Sequence, residues 1–122
     1  MFLKIKKDRG ISISHNGMEK DWVHDVTSDF IINVAHIGEI SFYTQQSERE
    51  RIDLQGRPFN QAPGTRVIHL QMTHTYATFD ESLAAGVGRR RVKVYYKLYF
   101  APENVDAYQE LRGAIESQVV NL

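Results

Sequence analysis

The sequence predicts a mainly β, α+β fold: an antiparallel sheet, sandwich or partly open barrel of about seven strands with one C-terminal amphipathic helix. Three observations carry this. Apolar and polar residues alternate with a period of two through most of the chain. Turn residues such as Asn16-Gly17, Gly38, Gly56 and Pro63-Gly64 separate the alternating runs. Helical spacing is sustained near the end, at Val105, Tyr108, Leu111, Ile115 and Val119. The 122 residues suit one domain, 1–122, with no linker or internal repeat dividing it.

The elements follow in order. In "FLKIKK", Leu3 and Ile5 fall on one side and Phe2, Lys4 and Lys6 on the other, which reads as an edge strand protected by lysines. "ISISH" alternates again with Ile11 and Ile13 together, and Asn16-Gly17 turns it into a returning strand from about Met18 to Val26. "DFIINVAHIGEISFYTQ" reads as a second hairpin, Phe30 to His36 and Ile40 to Thr44, turning at Gly38. In "QSERERIDLQGRP" a strand would place Glu48, Glu50 and Ile52 on one face and Arg49, Arg51 and Asp53 on the other; Gly56 and Pro58 end it, and "NQAPG" reads as loop.

"TRVIHLQMTHTYATF" is the longest strand. Ile68, Leu70, Met72, His74 and Tyr76 form its core face, and Val67, His69, Gln71, Thr73 and Thr75 its wetter face. Asp80 suits the start of a short helical turn that ends at Gly86. "GRRRVKVYYKLYF" then splits into a core face of Val92, Val94, Tyr96, Leu98 and Phe100 and a basic, aromatic face opposite. Asn104 is in position to cap the final helix, roughly 104–119.

Composition excludes several functions. Fifteen basic and fifteen acidic residues cancel, which disfavours a dedicated nucleic-acid binder. The absence of cysteine removes disulfides, cysteine nucleophiles and cysteine zinc sites. No apolar run approaches the roughly 20 residues of a membrane helix. The N-terminus lacks the apolar stretch of a signal peptide, so a cytoplasmic location is expected and a membrane partner is not.

The candidate ligand-binding or interface residues are Arg89, Arg91, Lys93, Tyr95, Lys97 and Tyr99. On one strand face they would make a row about 33 Å long at roughly 3.3 Å per residue. Such a row can hold phosphates on its cations and stack planar groups on its tyrosines. It can also be a solvated face paired with Glu19, Asp21, Asp25 and Asp29, or an interface with another subunit. Of the histidines, His69 and His74 are five apart and point to opposite faces of a regular strand, and no HxH or HExxH occurs, so no metal site is expected. Gly86 and Gly88 precede a strand rather than a helix, the wrong order for a phosphate loop, and read as turn residues. Ser12 and Ser14 lie beside His15 without a nucleophile elbow, and no catalytic residue or cofactor is expected.

The reading is therefore a non-enzymatic β-rich module that works through its surfaces, most simply as a homo-oligomer or within a larger assembly. Compact, cysteine-free chains without linkers occur among viral structural and accessory proteins, an analogy of fold class alone. The alternative is a binding protein for a small anionic ligand such as a nucleotide, held on the Arg/Lys/Tyr face. A weaker alternative is a small β-barrel enzyme using His69 or His74 in its lumen.

Overall fold

A computed structural model of the chain describes residues 2–15, 22–79 and 89–118, with side chains described for all of these except 76–79 and 89–93. The expected Asn16-Gly17 turn, the helical turn from Asp80, and Gly86 and Gly88 lie outside the described residues. The fold is mainly β with antiparallel sheets and one C-terminal helix. In chain order the elements are β1 (Phe2–Ile5), β2 (Ile11–His15), β3 (His24–Asp25), β4 (Phe30–Asn33), a 3-10 turn (Val34–His36), β5 (Ile37–Thr44), β6 (Arg49–Ile52), β7 (Pro58–Gln61), β8 (Arg66–Phe79), β9 (Arg89–Phe100) and α1 (Val105–Glu116).

A five-stranded sheet of order β3-β2-β9-β8-β5 forms the centre. Register fixes its two faces, because directly opposed residues share a side. Leu98 faces both Ile13 and Ile68, and Tyr96 faces Leu70. This face carries Ile11, Ile13, Ile68, Leu70, Met72, Leu98 and Phe100, all buried, with half-buried Ile40 and Phe42 at its β5 side. A two-stranded β1–β4 ribbon adds Leu3, Ile5 and Ile32 to the same core. Helix α1 adds Ala107, Tyr108, Leu111 and Ile115. The helix is clamped edge-on: the Phe100 and Tyr108 rings meet at 5.4 Å, and the Arg112 guanidinium lies 4.3 Å above the Phe42 ring while donating to the Tyr108 hydroxyl at 2.8 Å.

Residues 30–44 do not form the expected hairpin. β4 pairs with β1, the 3-10 turn redirects the chain, and β5 pairs with β8. The Asn33 side chain explains the redirection, since its oxygen accepts from the Ala35 N–H at 3.0 Å and starts the turn. A bulge between Ile37 and Glu39 then shifts parity by one, so Ile37 joins Met72 on the core side rather than pointing to the polar face.

The loop expected after Pro58 is also a strand. β6 and β7 form a hairpin, with Asp53 building the turn: its side chain accepts from the N–H groups of Gln55 and Arg57, each at 2.9 Å. Asp53 also makes a 3.2 Å ion pair with Arg57.

Helix α1 starts at the residue after Asn104, as the spacing implies, but Asn104 does not cap it with its side chain. Its amide instead donates to the carbonyls of Arg9 at 2.9 Å and Gly10 at 3.2 Å. Gly10 is at φ +69°, and a Cβ there would stand 3.0 Å from the Asn104 amide nitrogen, so this position requires glycine. The β1–β2 turn and the helix start are thus pinned together, with the Arg9–Glu110 ion pair at 2.6 Å on the outside.

Leu111→Asp buries a carboxylate in this core without a partner. It is expected to cost several kcal/mol, read as a large drop in the thermal midpoint; a melt within a couple of degrees of the parent would mean that α1 is not part of the cooperative unit.

Candidate functional site

The predicted strand β9 runs through the middle of the sheet, and its faces alternate as expected. Leu98 and Phe100 are fully buried on the core side. Tyr96 is half-buried there, its ring 6.1 Å from His15 and 6.4 Å from Phe30. The basic, aromatic side is partly covered. Tyr95 and Lys97 are half-buried, and Tyr99 is 3% exposed. The backbones of Arg89, Arg91 and Lys93 oppose Phe79, Ala77 and Thr75 of β8, but their side chains lie outside the described residues.

Tyr99 is buried because the β6–β7 hairpin folds across this end of the sheet. Val23, Val67 and Tyr99 form a second, smaller core beneath it. Arg51, 8% exposed, lies over the Tyr99 ring at 5.3 Å. Its guanidinium donates to the Gln61 side-chain oxygen at 3.0 Å and to that of Gln45 at 3.1 Å. On the far side, the Val23 N–H donates to the Ile52 carbonyl at 2.9 Å, and Trp22 and Ile52 form a parallel bridge. The hairpin is thus a strap fixed at both ends. Of the two faces expected for 48–53, the one carrying Arg51 turns inward.

Beyond the strap the polar face stays open, and its side chains are engaged with one another. Lys97 lies over the Tyr95 ring at 5.5 Å, and the His69 ring meets the same tyrosine edge-on at 5.4 Å. Ser14 and the Tyr99 hydroxyl are 3.0 Å apart. Burial, more than the neighbouring Lys97 charge, pushes the His69 pKa down, with Glu39 pulling the other way. Its Nε2 is buried without a hydrogen-bond partner. Burial, with Tyr99 next, also raises the Tyr43 hydroxyl, against the pull of Arg51 and Arg49.

Of the four acids that could pair with β9, two are among the described residues, and the contacts described for them are with other elements. Asp25 accepts from Ser12 at 3.2 Å, and Asp29 accepts from the Lys7 N–H at 2.8 Å and faces Lys4 at 3.7 Å. Glu19 and Asp21 lie outside the described residues.

Two clefts flank the strap and the sheet. A groove of about 460 Å³ runs between the β3 edge and the strap's turn, with Ser12, Asp25, Leu54, Arg57 and Phe59 among its walls. A smaller apolar pocket of about 210 Å³ holds His15 and His24 against Ile13, Val26, Phe30 and Tyr96. Burial and then the His24 charge push the His15 pKa down. His69 and His74 are not brought together: His74 is exposed past an irregularity in the β8–β9 pairing, its ring 6.2 Å from His36. No cluster of three or more potential metal ligands occurs among the described residues, and no helix among them is long and apolar enough to cross a membrane.

No protein-family model, curated protein or solved structure matches this chain. The residue that sequence reasoning missed is Arg51. The signal for it was the Asp53 to Arg57 turn, which implies a hairpin and therefore places Arg51 across from Phe59 and next to Gln61.

Two outcomes follow from this geometry. Tyr99→Ala should cost about 3–5 kcal/mol by urea denaturation, and Tyr95→Ala much less; equal losses would mean that the open face is as buried as the strapped end. Stability should also depend on pH. His15 and His69 bind protons less readily folded than unfolded, so their contribution is complete above about pH 6.5 and is lost as pH falls through their lower folded values. The urea midpoint should fall with acidification below that point, and a His15→Gln/His69→Gln double variant should show a shallower fall.

Proposed function

We propose that this chain is a non-enzymatic assembly module that works through its outer surfaces in copies of itself. One observation carries the reading: large apolar side chains are exposed in pairs, on the outer face of the β1–β4 ribbon and at the tip of the β6–β7 strap. Phe2 and Ile31, 64% and 63% exposed, stand on the outer face of the β1–β4 ribbon, whose inner residues Leu3, Ile5 and Ile32 already complete the core. Leu54 and Phe59, 53% and 38% exposed, stand at the tip of the strap. Single exposed apolar residues are ordinary, but neighbouring ones rimmed by charge mark contact surfaces. Lys4 beside Ile31, and Asp53 and Arg57 beside Leu54, supply such rims.

The half-buried Lys97 and the partnerless His69 Nε2 favour a second reading, in which the open polar face holds a small anion such as a nucleotide phosphate. It would bind with a shallow salt dependence, because few charges are neutralised. His69→Ala would weaken it without changing the state of association.

Sedimentation velocity decides between the two. The protein should run heavier than its 14.1 kDa chain mass across the micromolar range. A variant with Phe2, Ile31, Leu54 and Phe59 all replaced by serine should form smaller species with an unchanged thermal midpoint. A single 14.1 kDa species for the parent at every concentration would end the assembly reading.

A further inference from the structure

We infer that β5 is the seam of a two-fold dimer in which two copies join their central sheets edge to edge. This rests on the assembly reading and adds a specific contact to it. β5 is the outermost strand of the five-stranded sheet, and among the described residues its only strand partner is β8. Over eight residues, "IGEISFYT", it holds no lysine, arginine or proline. Its one charge, Glu39, and its bulge both lie near its start, which leaves residues 40–44 without the charges, prolines or bulges that ordinarily blunt an exposed edge.

The backbone groups that point outward can be assigned. Just past β5, the Gln45 N–H donates to the Thr65 carbonyl at 2.8 Å, on the β8 side. In an antiparallel pair the bonded residues alternate. Tyr43, Ser41 and Glu39 therefore bond inward to β8, and Thr44, Phe42 and Ile40 turn their N–H and C=O groups outward. Thr44 agrees: its carbonyl accepts from the Gln46 side chain at 3.3 Å.

This pattern is self-complementary. A two-fold axis perpendicular to the sheet keeps the core face on the same side in both copies, so residues of like parity must pair. Centring the axis on Ser41 sets Ile40 opposite Phe42 of the second copy and Phe42 opposite its Ile40. Both are hydrogen-bonding pairs, and both join apolar side chains that are half-buried at the rim of the core. Glu39 then falls opposite Tyr43, so no like charges meet. The occupant is thus a second copy, related by the isologous contact that a two-fold dimer requires, and the two five-stranded sheets become one of ten strands.

Ser41 is exposed, sits on the axis and faces itself in the dimer. Its substitution tests the seam without touching the core. In the background lacking the four exposed apolar residues, the protein should sediment as a dimer of the 14.1 kDa chain. Ser41→Lys in that background should give monomer, because two lysines would oppose each other. Ser41→Glu should do the same, and mixing the two variants should restore the dimer as a heterodimer. A dimer that survives Ser41→Lys, or a mixture that stays monomeric, would overturn the β5 seam. A four-serine background that is already monomeric would overturn it too, while leaving assembly through the hairpins standing. A parent protein that never associates would remove both.

Discussion

The last residues of β9 are the constraint on which the rest of the fold depends. Here one strand is buried on both faces: Leu98 and Phe100 point into the main core and Tyr99 into the small one. A central strand in a short chain can be covered twice only if every other element is assigned to one side or the other. The β1–β4 ribbon and α1 take the first side, and the β6–β7 strap takes the second. Pairing with β2 on one edge and β8 on the other satisfies the backbone of this stretch.

The second cover is unusual in being built on an arginine. A buried guanidinium is costly to desolvate, and only good geometry offsets the cost. Arg51 has the Tyr99 ring beneath it and donates to two glutamine oxygens, with Gln45 and Gln61 themselves buried. An aliphatic residue could fill the space but would not hold both ends of the strap at once. The exposed ion pairs, such as Arg112–Glu116 and Lys4–Asp29, are solvated and contribute much less.

Where side-chain alternation was clean, the sequence was legible. Leu3/Ile5, Ile11/Ile13, Ile68/Leu70/Met72 and Leu98/Phe100 are all core residues as the pattern implies, and the helical spacing of Tyr108, Leu111 and Ile115 marked α1. Pairing was less legible, because alternation says which face a residue takes but not which strand lies beside it. Residues 30–44 look like a hairpin, and only the Asn33-initiated turn and the bulge at Gly38 send their two halves to different sheets. The burial of Tyr99 was illegible for a similar reason. Nothing in "GRRRVKVYYKLYF" reveals that a hairpin from forty residues earlier lies across it. Charge alternation in 48–53 hid the strap, since an arginine at an inward position reads as a surface residue unless its partners are known.

The pairing of β2 with β9 has a kinetic meaning. Ile11 lies opposite Phe100, and His15 opposite Tyr96. During synthesis β2 must therefore wait for almost the whole chain before it finds its neighbour, although its own apolar residues emerge early. Non-local pairings of this kind close large loops before they are rewarded and slow the search. The β6–β7 hairpin is local, and the β5–β8 pairing that encloses it in sequence closes a far shorter loop than β2–β9. Until β9 emerges, the tyrosine that the strap covers is absent and β8 lacks its second strand neighbour. β9 supplies that missing tyrosine and neighbour, and α1, which follows it, closes the main core.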